Sequence, residues 1–157
     1  MSDVYETAQG HEEPYSVQFS IFLANRIGKL KELLELLDDQ QVPVVGLSIV
    51  DSADWAVVRV VSSQPGKARQ VLRTNSIPFM ESQVLLVELD AEDAMTRVCR
   101  LLVGAEVNIH FAYPLMTRPR DNPVLVVHVD DHVLAKHVLV RHGLTVIGHE
   151  DIGDEPR

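Results

Sequence analysis

The chain has 157 residues, 46% hydrophobic, 24% charged and 5% aromatic, which is enough apolar material for a packed core and excludes collagen-like, coiled-coil and disordered chains. Fourteen Lys and Arg against 23 Asp and Glu leave a formal net charge of -9 at pH 7, a field that repels phosphate backbones and anionic bilayers. Nucleic acid and membrane are therefore not expected as partners. Cys99 is the only cysteine, so an internal disulfide, a zinc finger and a CxxC redox pair are excluded, and a reducing cytoplasm is the expected location.

Residues 1–14 carry acids, Gly and Pro without apolar periodicity and read as a flexible tail, as do residues 153–157. The start is polar and acidic where a signal peptide needs basic residues and an apolar stretch. No run approaches the roughly 18 apolar residues of a membrane span. From Val17 to Leu23 apolar residues alternate, predicting a half-buried strand. Leu30, Leu33, Leu34 and Leu37 then recur at helical spacing with Lys29, Lys31, Glu32, Glu35 and Asp38 opposite, predicting an amphipathic helix that ends before Pro43. Val44–Val50 and Trp55–Val61, separated by Asp51-Ser52-Ala53-Asp54, read as a hairpin. Pro65-Gly66 opens a helix with Ala68, Val71 and Leu72 inward, Asn75–Pro78 stops it, and a strand starts at Phe79.

The next 70 residues repeat the pattern. They give a strand at Val84–Leu89, a helix at Ala91–Val103 with Met95, Val98, Leu102 and Ala105 along one stripe, strands at Val107–Tyr113 and Val124–Val129, a helix at Asp131–Arg141 and a strand at Leu144–Ile147. The expected fold is α+β: two ferredoxin-like βαββαβ units with antiparallel sheets and helices on one face, the first over 15–83 and the second over 84–152. Their sheets are expected to join edge to edge, within the chain or across a homodimer, because each unit alone leaves an unpaired edge and a small core.

The string Phe19-Ser20-Ile21-Phe22-Leu23-Ala24-Asn25-Arg26-Ile27-Gly28-Lys29-Leu30 resembles the first strand, loop and helix start of ACT domains. Val87-Glu88-Leu89-Asp90 and Ala105-Glu106-Val107-Asn108-Ile109 are similar to the same unit in the second half. The resemblance covers about residues 16–152 and is to small stand-alone proteins made of two ACT units. It implies a non-catalytic regulatory module that binds a free amino acid at Asn25, Arg26, Ile27, Gly28, Lys29 and Leu30, where two units pack together. A metabolic enzyme is then an expected partner.

Physical chemistry gives that loop a reason to bind. Helix-opening amides lack intrahelical acceptors and sit at the positive end of the dipole, so they suit a carboxylate. Gly28 tolerates a positive φ, Arg26 suits the carboxylate, and Asn25 suits either an ammonium or a capping role. The second loop, Asp90-Ala91-Glu92-Asp93-Ala94, places acids where a carboxylate would arrive and is expected to be structural. The alternative function is a ligand-free interaction or scaffold module that regulates a separate enzyme.

Other chemistries find less support. GxSxG, Walker and GxGxxG sequences are absent, so no cofactor is expected. His132, His137 and His142 stand five apart, where two metal ligands on one helix face want three or four, so no metal site is expected. His110 and His128 fall on strands expected to adjoin, an arrangement that suits a pH-sensitive interface. Cys99, beside the Val98 stripe, is expected to be buried as a small hydrophobe.

Overall fold

The computed structural model describes residues 15–153; the tails expected at 1–14 and beyond Gly153 lie outside the described residues. The elements are β1 (Ser16–Ala24), α1 (Lys29–Asp39), β2 (Gly46–Asp51), β3 (Trp55–Val61), α2 (Pro65–Thr74), β4 (Phe79–Glu88), α3 (Ala94–Gly104), β5 (Ile109–Pro114), β6 (Val124–Val129), α4 (His132–Arg141) and β7 (Val146–Ile147), followed by a short 3-10 helix at His149–Ile152. The α+β arrangement of two βαββαβ repeats is present, with one difference: the strands expected at Phe79 and at Val84–Leu89 are a single strand, β4. No Gly or Pro separates them, and odd positions keep to the helix side throughout, Phe79 as well as Leu85 and Val87.

All seven strands therefore form one antiparallel sheet, ordered β2-β3-β1-β4-β6-β5 with β7 also on β4. The first half of β4 pairs with β1, from Ser16 opposite Val84 to Ile21 opposite Phe79, and the second half pairs with β6 and β7. Amide parity assigns the edges. Phe22 N–H donates to Pro78 O and Glu88 N–H to Thr145 O, both even positions, whereas Leu89 N–H donates to Pro123 O. Alternate residues of a strand hydrogen-bond to opposite sides, so β1 and β7 share one edge of β4 and β6 takes the other.

Parity also sorts the side chains. Phe19, Ile21, Val58 and Val60 pack under α1 and α2 with Leu33, Leu37 and Leu72, while Leu85, Val87, Val127 and Leu139 pack under α3 and α4. On the opposite, helix-free side a third core joins the units through Val61, Val84, Leu86, Tyr113, Leu115, Val126 and Ile147. The sheet curls far enough to bring its two outer strands together: Gly46 bridges Leu115, and Met116 N–H donates to Val45 O at 2.8 Å. A Cβ on Gly46 would lie 2.9 Å from Leu115 Cδ2 and 3.2 Å from Val61 Cβ, so glycine permits this closure. The loop between β5 and β6 is drawn back by buried Glu88, which accepts from Asn122 Nδ2 at 2.8 Å and lies 3.5 Å from Arg120 Nε.

The duplication is also written in how the helices stop. After each one the chain passes through a left-handed residue, Gln41 (φ 57°), Ser76 (φ 53°), Glu106 (φ 58°) or Gly143 (φ 84°). The next amide then donates to the last core leucine of that helix: Val42 to Leu37, Ile77 to Leu72, Val107 to Leu102 and Leu144 to Leu139. This is the Schellman motif with its apolar contact, made four times and with glycine once.

Two expectations about α3 are corrected. The helix starts at Ala94, and its buried stripe is Ala94, Val98 and Leu102, so Met95 and Cys99 are exposed. Each stands one position past a stripe residue, a rotation of about 100° out of the core at 3.6 residues per turn.

Candidate functional site

The loop from Asn25 to Gly28 leaves β1 at the end of the sheet remote from the third core and turns into α1. Gly28 is the N-cap residue at φ 88°, a left-handed conformation that glycine adopts without steric cost. Asn25 does not cap the helix. Its Nδ2 donates to Asp51 Oδ1 at 2.9 Å and to Ser52 O at 3.1 Å, and its amide donates to Asp54 O at 3.1 Å. Asn25 therefore staples the loop to the β2–β3 turn, and Gly28, three residues on, takes the N-cap position.

The amide of Lys29 donates to Arg26 O at 3.3 Å, whereas those of Leu30 and Lys31 find no acceptor among the described residues. Arg26 is exposed and makes no ion pair among the described residues, while Lys29 Nζ lies 3.1 Å from Glu32 Oε2. Ile27 projects fully into solvent, 105% exposed relative to its reference state.

Two cavities flank this loop. One, of about 380 Å³, lies between the end of β1, α1 and the α2–β4 connection, and Arg26, Lys29, Leu33, Leu36, Trp55 and Ile77 contribute to its walls. The other, of about 260 Å³, lies on the β2–β3 side and is bounded by Asn25, Arg26, Lys29, Leu30, Ile49 and Asp51. Small-molecule clefts fall at about 300 to 1,000 Å³. Of the six residues singled out from sequence, Arg26 and Lys29 border both cavities, Asn25 and Leu30 the second, and Ile27 and Gly28 neither. Leu36, Trp55 and Ile77 were missed: Leu36 lies farther along α1, Trp55 opens β3 and Ile77 sits in the α2–β4 connection, and nothing in their local pattern sets them apart from core or surface.

A second polar cluster lies on the helix-free side. The Arg59 guanidinium carbon lies 3.7 Å from the Phe111 ring centre, Phe111 stacks on His128 at 4.7 Å, and His110 lies 5.2 Å from His128. The sequence anticipated the His110–His128 neighbourhood; it gave no sign of Arg59, which arrives from the other unit. Burial first, then the charges of His110, Arg59 and His132, hold the His128 imidazole below its ordinary pKa. Among the described residues no three His, Cys, Asp or Glu side chains gather to hold a metal ion, and no helix is long and apolar enough to cross a membrane.

Two βαββαβ units sharing a strand, with the β1–α1 loop open at the sheet end, define a paired ferredoxin-like domain architecture. The chain belongs to the ACT domain pair family, which matches residues 16–154. Among solved structures it is similar to protein BT0572 from Bacteroides thetaiotaomicron, with 24% identity, a TM-score of 0.79 and coverage of 88% of this chain and 95% of that one. Aspartokinase alpha and beta subunits share 12% identity at a TM-score of 0.55, covering 82% of this chain and 93% of theirs. The ligand-free regulatory subunit of aspartate kinase from Thermus thermophilus shares 9% identity at 0.53, with the same two coverages. These likenesses are of fold. No curated protein matches the chain.

Proposed function

We propose that this protein is a non-catalytic regulatory module that binds a free amino acid at the β1–α1 loop. The observation that carries the reading is the conjunction at the start of α1: two amides without acceptors and an Arg26 without an ion pair among the described residues, with a cavity on either side. The amides and the guanidinium suit a carboxylate. The free carbonyl oxygen of Asn25, whose amide nitrogen is committed to the turn, suits an ammonium. Family membership supports the regulatory role, and the likeness to an aspartate kinase regulatory subunit is consistent with action on a metabolic enzyme in the cytoplasm.

A thermal-shift screen of the twenty amino acids tests the reading, since a ligand at about a hundred times its dissociation constant adds about 2.7 kcal/mol of stability. One of them is expected to raise the melting temperature, and Arg26→Ala to weaken its binding in calorimetry without altering the melting temperature of the free protein. Affinity unchanged in that variant removes the site assignment. The second reading, a scaffold that contacts another protein without a small ligand, is favoured by the exposure of Ile27 at the loop tip. A screen with no shift for any amino acid would favour it.

A further inference from the structure

We infer that the outer face of α4 docks an acidic, amphipathic segment of a separate protein. The inner side of this helix is already committed, with Ala135 and Leu139 in the core of the second unit. Yet Val133, Leu134 and Val140 are 58%, 38% and 51% exposed, whereas α1 and α2 leave no large apolar side chain exposed. A helix apolar on both faces is built to be covered on both. Val133 and Val140 stand two turns apart, about 10 Å along the axis, and with Tyr15, Lys136, His137 and Arg141 they line a groove of about 350 Å³. Apolar anchors at this spacing are how helical surfaces receive a peptide segment.

The charges around the groove name the occupant. The chain carries a net charge of -9, but α3 and α4 hold Arg97, Arg100, Lys136 and Arg141 and no acid. Asp131, just before α4, is taken up as its N-cap and accepts from Leu134 N–H at 3.0 Å. Neither Lys136 nor Arg141 has a carboxylate partner among the described residues, and Lys136 Nζ lies instead 5.2 Å from the centre of the Tyr15 ring. A segment that fits must therefore bring apolar side chains to Val133 and Val140 and carboxylates to Lys136 and Arg141. A second copy presenting the same face fails on charge, since its cations would meet these with no acid between them. None of the groove residues borders either cavity at the β1–α1 loop, so this surface does not depend on the amino-acid site.

The test is fluorescence anisotropy on the full chain with a labelled synthetic peptide that carries leucine at i, i+4 and i+7 and glutamate beside them, compared with the same peptide bearing lysine for glutamate. The glutamate peptide is expected to bind, more weakly as salt is raised, and the lysine peptide not to bind. Lys136→Glu and Arg141→Glu should each weaken binding about tenfold, and Val140→Ser should weaken it too, all three with the circular dichroism spectrum of the parent retained. Lys31→Glu, at an exposed cation on α1, is the control and should leave binding unchanged. A chain lacking residues 1–14, which include Asp3, Glu6, Glu12 and Glu13, is measured in parallel. Binding that appears only in that shortened chain gives the groove to the protein's own first residues and overturns the inference. A glutamate peptide that fails to bind, that binds no better than its lysine counterpart, or that is indifferent to the α4 variants overturns it as well.

Discussion

Tyr113 Oη donates a 2.6 Å hydrogen bond to Gln18 Oε1, joining β5 of the second unit to β1 of the first inside the shared core. Gln18 Nε2 in turn donates to Ser20 Oγ at 3.1 Å, so the buried amide is satisfied at both ends. Burial pushes the Tyr113 phenol well above its ordinary pKa, which keeps it a donor at any physiological pH. Tyr113→Phe strands the carbonyl oxygen of Gln18 and is expected to cost about 1 to 3 kcal/mol in urea denaturation. Gln18→Leu in the same background should recover part of that loss, since the stranded acceptor disappears. No recovery would mean that Gln18 finds another partner, such as water.

Asn25 explains itself through what it holds. Its amide nitrogen faces Asp51 Oδ1 and the Ser52 carbonyl, both acceptors, so the position needs a donor. Asn25→Asp sets a second carboxylate against Asp51 at hydrogen-bond distance. The expected result is a loss of about 1 kcal/mol at neutral pH, with stability recovering as pH falls and one carboxyl takes up a proton. Urea titrations at neutral and acidic pH check this, and a pH-independent loss would locate the damage elsewhere.

The repeat, the four helices and the hairpin were legible because apolar spacing reports burial directly: Trp55–Val61 and Val124–Val129 are found with the ends expected. The continuity of β4 was harder to read, since one strand that changes partners midway has the same alternation as two abutting strands. Helix α3 was started three residues early because Ala91, Glu92 and Asp93 have acceptable helix propensity, and only the packing of Ala94 fixes the phase that exposes Met95 and Cys99. At the site, the loop was visible through Asn25, Arg26 and Gly28. The walls supplied by Trp55 and Ile77 were not, because chain topology and not local pattern brings them there, and Leu36, farther along α1, stands outside the stripe of Leu30, Leu33, Leu34 and Leu37. Arg59 on Phe111 was hidden for the same reason.

His128 is expected to make the protein sensitive to mild acid. Its Nδ1 is buried without a partner among the described residues, Phe111 stacks on the ring, and Arg59, His110 and His132 all oppose a further positive charge. With a folded-state pKa below the ordinary imidazole value of about 6.5, the unfolded chain binds more protons in the window between the two. The contribution of neutral His128 is therefore complete above about pH 6.5 and is lost as pH falls through the lowered folded value. His128→Phe keeps the stack and removes the titration, so its stability should fall less steeply than that of wild type below pH 6.5. Equal slopes would assign the acid sensitivity to the carboxylates, among them Glu81, whose pKa is lowered by the Arg69 guanidinium that binds it.

The four helix ends offer an internal control on backbone strain. Gln41, Ser76 and Glu106 adopt left-handed φ with side chains that disfavour it, whereas the equivalent position after α4 is Gly143. A left-handed conformation costs a residue with a Cβ roughly 1 kcal/mol, partly offset in glycine by the greater entropy of its unfolded state. Nothing lies within 4 Å of a Cβ built on Gly143, so Gly143→Ala tests the backbone alone and is expected to destabilise by about 0.5 to 1 kcal/mol. Glu106→Gly and Gln41→Gly should stabilise by about the same amount, because both relieve the same strain without touching the apolar contacts of Val107 and Val42. Chemical denaturation of the three variants at one pH decides it: if glycine at position 106 or 41 destabilises, the side chains removed there contribute more than the strain they carry.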